Sequence, residues 1–253
     1  MAPKGANGES AILDLQLLWV YQQAAELEGD LGLKDFQKLY NERAEQLKQT
    51  IRQKYWDTSR QLFADTPDKK YFSQHVNSLA ILSGVSTGEK ATVLAMNILK
   101  DKSLVQASIY YKFYLHQALA KAGLGDNYLD WLDKWRENIA MGLTTWAEDS
   151  EVSTARSDSH AWGSSPNVEF YRILLGIDSD APGFAKVRIE PHLGDIKEIS
   201  GSMPHPSGEI SVHYKQRKNK LEAEVILPQD LEGTFIWNGN EHILKSGTNN
   251  LSL

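Results

Sequence analysis

The stretch SPNVEFYRILLGIDSDAPGFAKVRIE, residues 165–190, is where the chain changes character. Its first half reads as a helix over 165–175, with Pro166 near the first turn and Gly176 as a stop. Beyond Pro182 the apolar residues alternate with polar ones, beginning at Val187 and Ile189, which is the period of a half-buried strand. From Ser10 to about Ile177 they recur instead at helical spacing. The change of period near residue 180 divides the chain into a helical domain, 1–179, and a β domain, 180–253.

Working back from that boundary, the spacing predicts about seven helices joined by short loops. The first, 11–27, is apolar nearly all round at its start (Ile12, Leu13, Leu15, Leu17, Leu18, Trp19, Val20), as expected of a helix buried on several sides. The second, 34–55, carries one apolar stripe (Phe36, Leu39, Tyr40, Ala44, Leu47, Ile51, Tyr55) and a charged opposite face, as expected of an outer helix. A third runs over 73–83, with Ser73 as N-cap and Gly84 as stop. The fourth opens on the capping box Ser86-x-x-Glu89. Further helices fit 105–121, ended by Gly123, and 126–141. Buried and amphipathic helices alternate as sequential hairpins, an α/α arrangement.

Working forward, Ile210, Val212 and Tyr214, then Leu221, Ala223, Val225 and Leu227, alternate as strands, and Asn238-Gly239 marks a hairpin turn. The prediction is a small antiparallel β-sandwich of about 70 residues. The fold class is α+β and multidomain.

The 253 residues are 41% hydrophobic and 24% charged, an ordinary globular balance. The net charge of -6 is split evenly either side of Ile177, so neither half carries a basic footprint for nucleic acid. There are no cysteines, which removes disulfides and thiolate chemistry. No apolar run suits a membrane span, and residues 1–8 lack a signal-peptide pattern. No His-x-x-x-His pair, Gly-rich phosphate loop or Gly-x-Ser-x-Gly elbow occurs, so neither a metal nor another cofactor is expected. His116 reads as a core residue. The pairs Pro191-His192 and Pro204-His205-Pro206 read as turns.

Chemistry concentrates in residues 144–162. Thr144-Thr145-Trp146-Ala147-Glu148-Asp149-Ser150-Glu151 is followed by Arg156-Ser157-Asp158-Ser159-His160-Ala161-Trp162. Tryptophan rings stack on the apolar face of a sugar, carboxylates, His and Arg match its hydroxyls, and a carboxylate can take a proton from water. A polar loop with acidic residues also serves as a solvated connector, and spacing alone leaves both readings open. The same holds for Asp65-Thr66-Pro67-Asp68 and the helix start Ser73-Gln74-His75-Val76-Asn77. Those polar groups either line a cleft or make caps and core hydrogen bonds.

These strings resemble a family. Gly142-Leu143-Thr144-Thr145-Trp146-Ala147-Glu148, then Thr154-Ala155-Arg156-Ser157-Asp158-Ser159-His160-Ala161-Trp162 and Ser165-Pro166-Asn167, are similar to the signature of bacterial α-L-rhamnosidases of glycoside hydrolase family 78. Phe72-Ser73-Gln74-His75-x-Asn77, Pro191-His192-Leu193-Gly194 and Pro204-His205-Pro206-Ser207-Gly208 resemble the same family in the same order. The resemblance runs from about Gly5 to the end. It implies the second half of an (α/α)6 barrel followed by a C-terminal β-sandwich.

It also implies an inverting hydrolase of terminal α-L-rhamnose. Glu148 matches the general base, and His160 matches a sugar-binding histidine. Trp146, Trp162 and Asp158 stand nearby as wall residues, and His75 and Asn77 match a barrel motif among the substrate-binding residues. The family's general acid has no counterpart here, so the chain is expected to be a fragment, inactive alone, whose parent is periplasmic or secreted. The expected partner is a rhamnose-containing oligosaccharide or glycoside, with no nucleic acid or membrane, and with self-association of the fragment. Two rival readings stand: an α/α-barrel glycosidase for another sugar, and a non-catalytic carbohydrate-binding fragment in which the β domain, with its one tryptophan Trp237, does the binding.

Overall fold

The computed structural model describes residues 3–149, 157–218 and 220–253. They form two compact units, divided between Leu124 and Gly125.

The first unit is helical. Helix α1 (Ala11–Asp30) packs along α2 (Lys34–Tyr55), and a two-rung ladder, β1 (Trp56–Asp57) with β2 (Leu62–Phe63), leads into α3 (Gln74–Leu82). Then come α4 (Gly88–Lys100) and α5 (Lys112–Leu119). Helices α1, α3 and α5 touch in succession, while α2 packs on α1 and α4 on α3. This alternation of layers is the α/α arrangement the periodicity predicts. Two contacts fix α2: the Tyr55 hydroxyl donates to Asp14 Oδ2 at 2.6 Å, and Arg52 donates twice to the Val85 carbonyl. Helix α3 starts as predicted, its N-cap Ser73 accepting from the Val76 amide.

Helix α1 is less covered than its composition suggests. Ala11, Leu15, Leu18 and Ala25 are buried, whereas Leu13, Leu17, Val20 and Leu27 are exposed. The stripe of α2 is buried only toward its C-terminal end, at Ala44, Ile51 and Tyr55, and Phe36 and Leu39 are exposed.

Some helix starts differ from expectation. The capping box at Ser86 does not form: α4 begins at Gly88 with Thr87 as N-cap, because the Ser86 amide is spent on the Ala80 carbonyl in closing the preceding turn. Helix α5 begins seven residues later than predicted. Val105 exchanges main-chain hydrogen bonds with Phe72 and Gln74, and the Gln74 side chain accepts from the Ala107 amide, which holds 105–107 extended beside the start of α3.

In the second unit the predicted helix 126–141 divides into a 3₁₀ stretch (Gly125–Leu132) and α6 (Asp133–Ala140). The predicted helix 165–175 divides into α7 (Ser165–Glu169) and a wider π-type turn (Phe170–Leu174), ending at Gly176 with φ 73°. A Cβ at Gly176 would meet the Glu190 carbonyl, so only glycine turns the chain into the sandwich here.

The sandwich has two four-stranded sheets. One places β5 (Glu198–His205), β6 (Gly208–Arg217), β7 (Lys220–Leu227) and β10 (Gly247–Ser252) in the antiparallel order β10-β7-β6-β5. The other runs β3-β4-β8-β9 through β3 (Ile177–Ser179), β4 (Lys186–Ile189), β8 (Glu232–Trp237) and β9 (Asn240–Leu244). All its pairs are antiparallel except β4 with β8, which is parallel. The chain leaves β4, builds three strands of the opposite sheet and returns beside β4 in the same direction, so one parallel pair is the result. Alternation puts Val212, Tyr214, Ala223 and Val225 of the first sheet against Val187, Ile189, Phe235 and Leu244 of the second in one core. The Tyr214 hydroxyl donates to the Leu175 carbonyl at 2.8 Å, pinning the sandwich to the end of the last helical segment. In the turn after β5, the His205 ring nitrogens meet the Phe184 carbonyl and the Ser207 amide.

His116 is 1% exposed in α5, and its pKa is pushed down to about 3, by burial first and Lys112 second. Burial also lowers His75. An unfolded histidine titrates near 6.5, so below that pH the unfolded chain takes up protons the folded chain refuses. Stability is therefore retained above about pH 6.5 and lost toward pH 3, by roughly 1.4 kcal/mol per pH unit where the proton difference is complete. Asp65, whose pKa burial raises, acts in the opposite sense. Urea unfolding at pH 7 and pH 4 should show wild type losing more stability on acidification than His116→Asn.

Candidate functional site

Glu148 lies in the connection between α6 and α7, and main-chain pairing puts it there. Its amide donates to the Ser157 carbonyl at 2.9 Å, and the His160 amide donates to the Trp146 carbonyl at 2.8 Å. The two arms of the loop thus run side by side like a short ladder. The Thr145 hydroxyl adds a bond to the Asp158 carbonyl.

Two indole groups clamp this ladder. Trp162 Nε1 donates to the Glu148 carbonyl at 2.9 Å, and Trp135 Nε1, from the buried face of α6, donates to the Gly163 carbonyl at 2.6 Å. Gly163 has no room for a side chain, since a Cβ would stand 2.9 Å from Trp146 Cβ and 3.0 Å from the Ala147 carbonyl oxygen. Ala147 is fully buried in that contact.

The Glu148 side chain is 9% exposed, and its Oε1 lies 4.0 Å from His160 Nε2. The His160 ring lies tilted against Trp162, with ring centres 4.4 Å apart. Its Nδ1 is buried and finds no partner among the described residues. Three predicted residues, Glu148, His160 and Trp162, therefore converge, and Trp146 adjoins them through its main chain. Asp158 is beside them, but its side chain is exposed and its carbonyl serves the loop. Glu151 and Thr154-Ala155-Arg156 lie outside the described residues. A shielded carboxylate, an imidazole and a half-exposed indole can hold a hydroxylated ring and take a proton from water.

His75 and Asn77 belong to the first unit. The His75 ring lies tilted against Tyr111, with ring centres 4.2 Å apart. Tyr111 lines a cleft of about 800 Å³ together with Trp19, Tyr110, Tyr114, Gln16 and Gln23. Asn77, expected among the substrate-binding residues, is instead a framework residue. It is fully buried, its Oδ1 accepts from the Phe63 amide, and its Nδ2 donates to the carbonyls of Phe63 and Ser73. Every polar group of its amide is spent on main chain. Trp135, Gly163, Trp19 and Tyr111 were not picked out by motif; Trp135 reads only as one position in a helical stripe. Among the described residues, no group of His, Asp or Glu could hold a metal ion.

Residues 176–251 match the family described as bacterial alpha-L-rhamnosidase C-terminal domain. That match covers the strands of the sandwich. An alpha-L-rhamnosidase of Alteromonas sp. (strain LOR) is 32% identical over 68 residues, 26% of this chain and 7% of that protein. The GH78 family rhamnosidase of Bacillus sp. GL1 superposes with a TM-score of 0.80 at 24% identity, over 90% of this chain and 26% of that one. The Streptomyces avermitilis alpha-L-rhamnosidase, solved in complex with L-rhamnose, gives 0.76 at 16% identity, over 95% and 26%. At these identities the likeness is one of fold, extending the rhamnosidase resemblance from the C-terminal domain to the helical region. The chain spans about a quarter of the length of these rhamnosidase structures.

Asn77→Ala should destabilise the first unit by roughly 2–4 kcal/mol, because the Phe63 amide and carbonyl lose their partner while buried. A shift in the urea midpoint would show it. An unchanged midpoint would remove the framework role.

Proposed function

We propose that this chain is the C-terminal segment of an inverting α-L-rhamnosidase of glycoside hydrolase family 78, which releases terminal α-L-rhamnose from glycosides. In this reading residues 1–179 supply the second half of the catalytic barrel and 180–253 its C-terminal sandwich. The observation that carries the proposal is the shielded Glu148 carboxylate, 4.0 Å from His160 and clamped through its own carbonyl by Trp162.

Glu148 acts as general base. Deprotonated, it draws a proton from a water on the face of the sugar opposite the leaving oxygen, and the water attacks the anomeric carbon. His160, whose side chain is partly exposed, binds a sugar hydroxyl, and the half-exposed Trp162 offers a ring face to the C–H groups of the sugar, with Trp146 beside it in the chain pairing. Inversion needs a second carboxyl group about 6.5–9.5 Å from the base to protonate the leaving oxygen. Asp149 and Asp158 adjoin Glu148 on the same short ladder, which favours an acid from outside this segment.

Two outcomes follow. In a longer parent enzyme, Glu148→Gln should abolish turnover of an aryl α-L-rhamnoside and leave rhamnose binding nearly unchanged, since the amide keeps the shape but takes no proton. The 253-residue chain alone should fail to hydrolyse the same substrate at an enzymatic rate, because loss of the acid costs about 10²- to 10⁴-fold. Robust hydrolysis that is lost in Asp158→Asn would overturn the assignment of a single catalytic carboxylate. The isolated chain is also expected to self-associate through the exposed face of α1 (Leu13, Leu17, Val20, Leu27), an outcome light scattering over a concentration series would report.

A further inference from the structure

The capping box that the sequence offers at residues 86–89 is left unmade, and the residues that would have formed it border a cleft of about 730 Å³. Arg52, Trp56, Phe63, Ser86, Thr87 and Lys90 are among its lining. The first unit alone builds it, from the end of α2, the β1–β2 ladder and the start of α4. The register of the ladder shows which side chains face it: Trp56 stands opposite Phe63 and both line the cleft, whereas Asp57 and Leu62 alternate to the other face. The two rings meet edge to face with centres 4.9 Å apart. Arg52 precedes Trp56 by one turn of α2.

Donors gather at this cleft without acceptors. Thr87 is the N-cap of α4, but its side chain makes no capping bond. Main-chain bonding in α4 begins with the Ala91 amide, which donates to the Thr87 carbonyl, so the amides of Gly88, Glu89 and Lys90 have no acceptor among the described residues. A Cβ at Gly88 would meet no atom within 4 Å, which leaves the first turn open to approach. Ser86 is only 8% exposed, it belongs to the lining, and its hydroxyl makes no hydrogen bond among the described residues. Arg52 is fixed by Nε and Nη2, which donate to the Val85 carbonyl at 3.1 and 2.7 Å, and its Nη1 is left unengaged. Unpaired charges on a surface are ordinary; a hydroxyl this buried without a partner is not, and beside a helix start with free amides it points to a ligand.

We propose that this cleft binds an acidic sugar, a pyranose carrying one carboxylate. Free amides at the positive end of a helix dipole favour an anion, and a guanidinium N–H and a hydroxyl beside them add donors to the same place. Of the charged residues lining the cleft, Arg52 and Lys90 are positive and Glu89 is negative, a balance that suits a single carboxylate better than a phosphate dianion. The carboxylate accepts from the first amides of α4 and from Arg52 Nη1. The Trp56–Phe63 pair supplies apolar ring surface for the C–H groups of the sugar, and Gln61, Ser86 and Glu89 meet its hydroxyls. The volume lies within the range of small-ligand pockets. The site uses the first unit only, so it stands or falls separately from the role proposed for Glu148.

The test is an NMR titration of the isotope-labelled 253-residue chain, following the Trp56 indole N–H and the amides of residues 88–90. The probes are sodium D-glucuronate and, in parallel, D-glucose, sodium acetate and sodium benzoate, which lack in turn the charge, the ring and the hydroxyls. D-Glucuronate should give saturable shifts at both places, with a dissociation constant on the order of 1 mM, and each of the others should bind at least about tenfold more weakly. Ser86→Ala should weaken glucuronate binding about tenfold without changing the fold, since that hydroxyl holds nothing in the protein. Thr87→Asp should raise the urea midpoint, because an aspartate N-cap accepts from the free amides, and should abolish glucuronate binding for the same reason. No saturable shift with glucuronate, equal affinity for any of the three comparison ligands, unchanged affinity in Ser86→Ala, or a Thr87→Asp protein that is more stable yet binds as before would overturn the proposal.

Discussion

A carbonyl oxygen accepting from a tryptophan N–H occurs twice within the 135–163 region, and the candidate site depends on it. Trp162 holds the carbonyl of Glu148 itself, and Trp135, rooted in the buried face of α6, holds Gly163 at the other end of the same short segment. Between them the main chains of 146–148 and 157–160 pair, and Gly163 lets Trp146 and Ala147 approach to contact distance. A loop of polar and acidic residues would otherwise pay a large entropic cost to fix one carboxylate. Here that cost is offset by two indole hydrogen bonds, one from the buried Trp135 and one from the half-exposed Trp162, so the Glu148 side chain is shielded without being sealed off, as a group that must reach a water needs to be.

That arrangement explains which parts of the site could be read from sequence. Glu148, His160, Trp146 and Trp162 lie within 17 positions and announce their chemistry by type, so a reading by motif finds them together. Trp135 and Gly163 act through geometry. An indole N–H aimed at a carbonyl 28 residues away, and a glycine needed for absent volume rather than for a positive φ, leave no mark on periodicity. Asn77 shows the converse. The family resemblance put its amide among the substrate-binding residues, yet that amide is spent on the main chain of Phe63, and burying those groups without a partner is costly.

The same division between local and distant causes runs through the fold. Helix α2 and the hairpin at Asn238-Gly239 follow from local spacing and turn chemistry, and both appear where the sequence puts them. The start of α5 does not. Residues 105–107 have acceptable helix formers, but Val105 is claimed by the main chain of Phe72 and Gln74, a contact more than 30 residues distant. The parallel β4–β8 pair is invisible for a similar reason: alternation shows which face of a strand is buried but not which neighbour it meets, nor in which direction.

Helix α1 shows what periodicity does record. Its composition calls for cover on several sides, and α3, whose residues from Val76 to Ile81 are all buried, shows what such cover looks like: α1, α4 and α5 surround it. Helix α1 has α2 and α3 as neighbours, and Leu13, Leu17, Val20 and Leu27 remain in water. A neighbour on that side would gain about 1.5–3 kcal/mol for each such side chain fully buried, before the cost of association. The sequence of α1 thus encodes a packing demand that its neighbours in this chain meet only in part. Its apolar pattern is evidence about partners as much as about the helix itself.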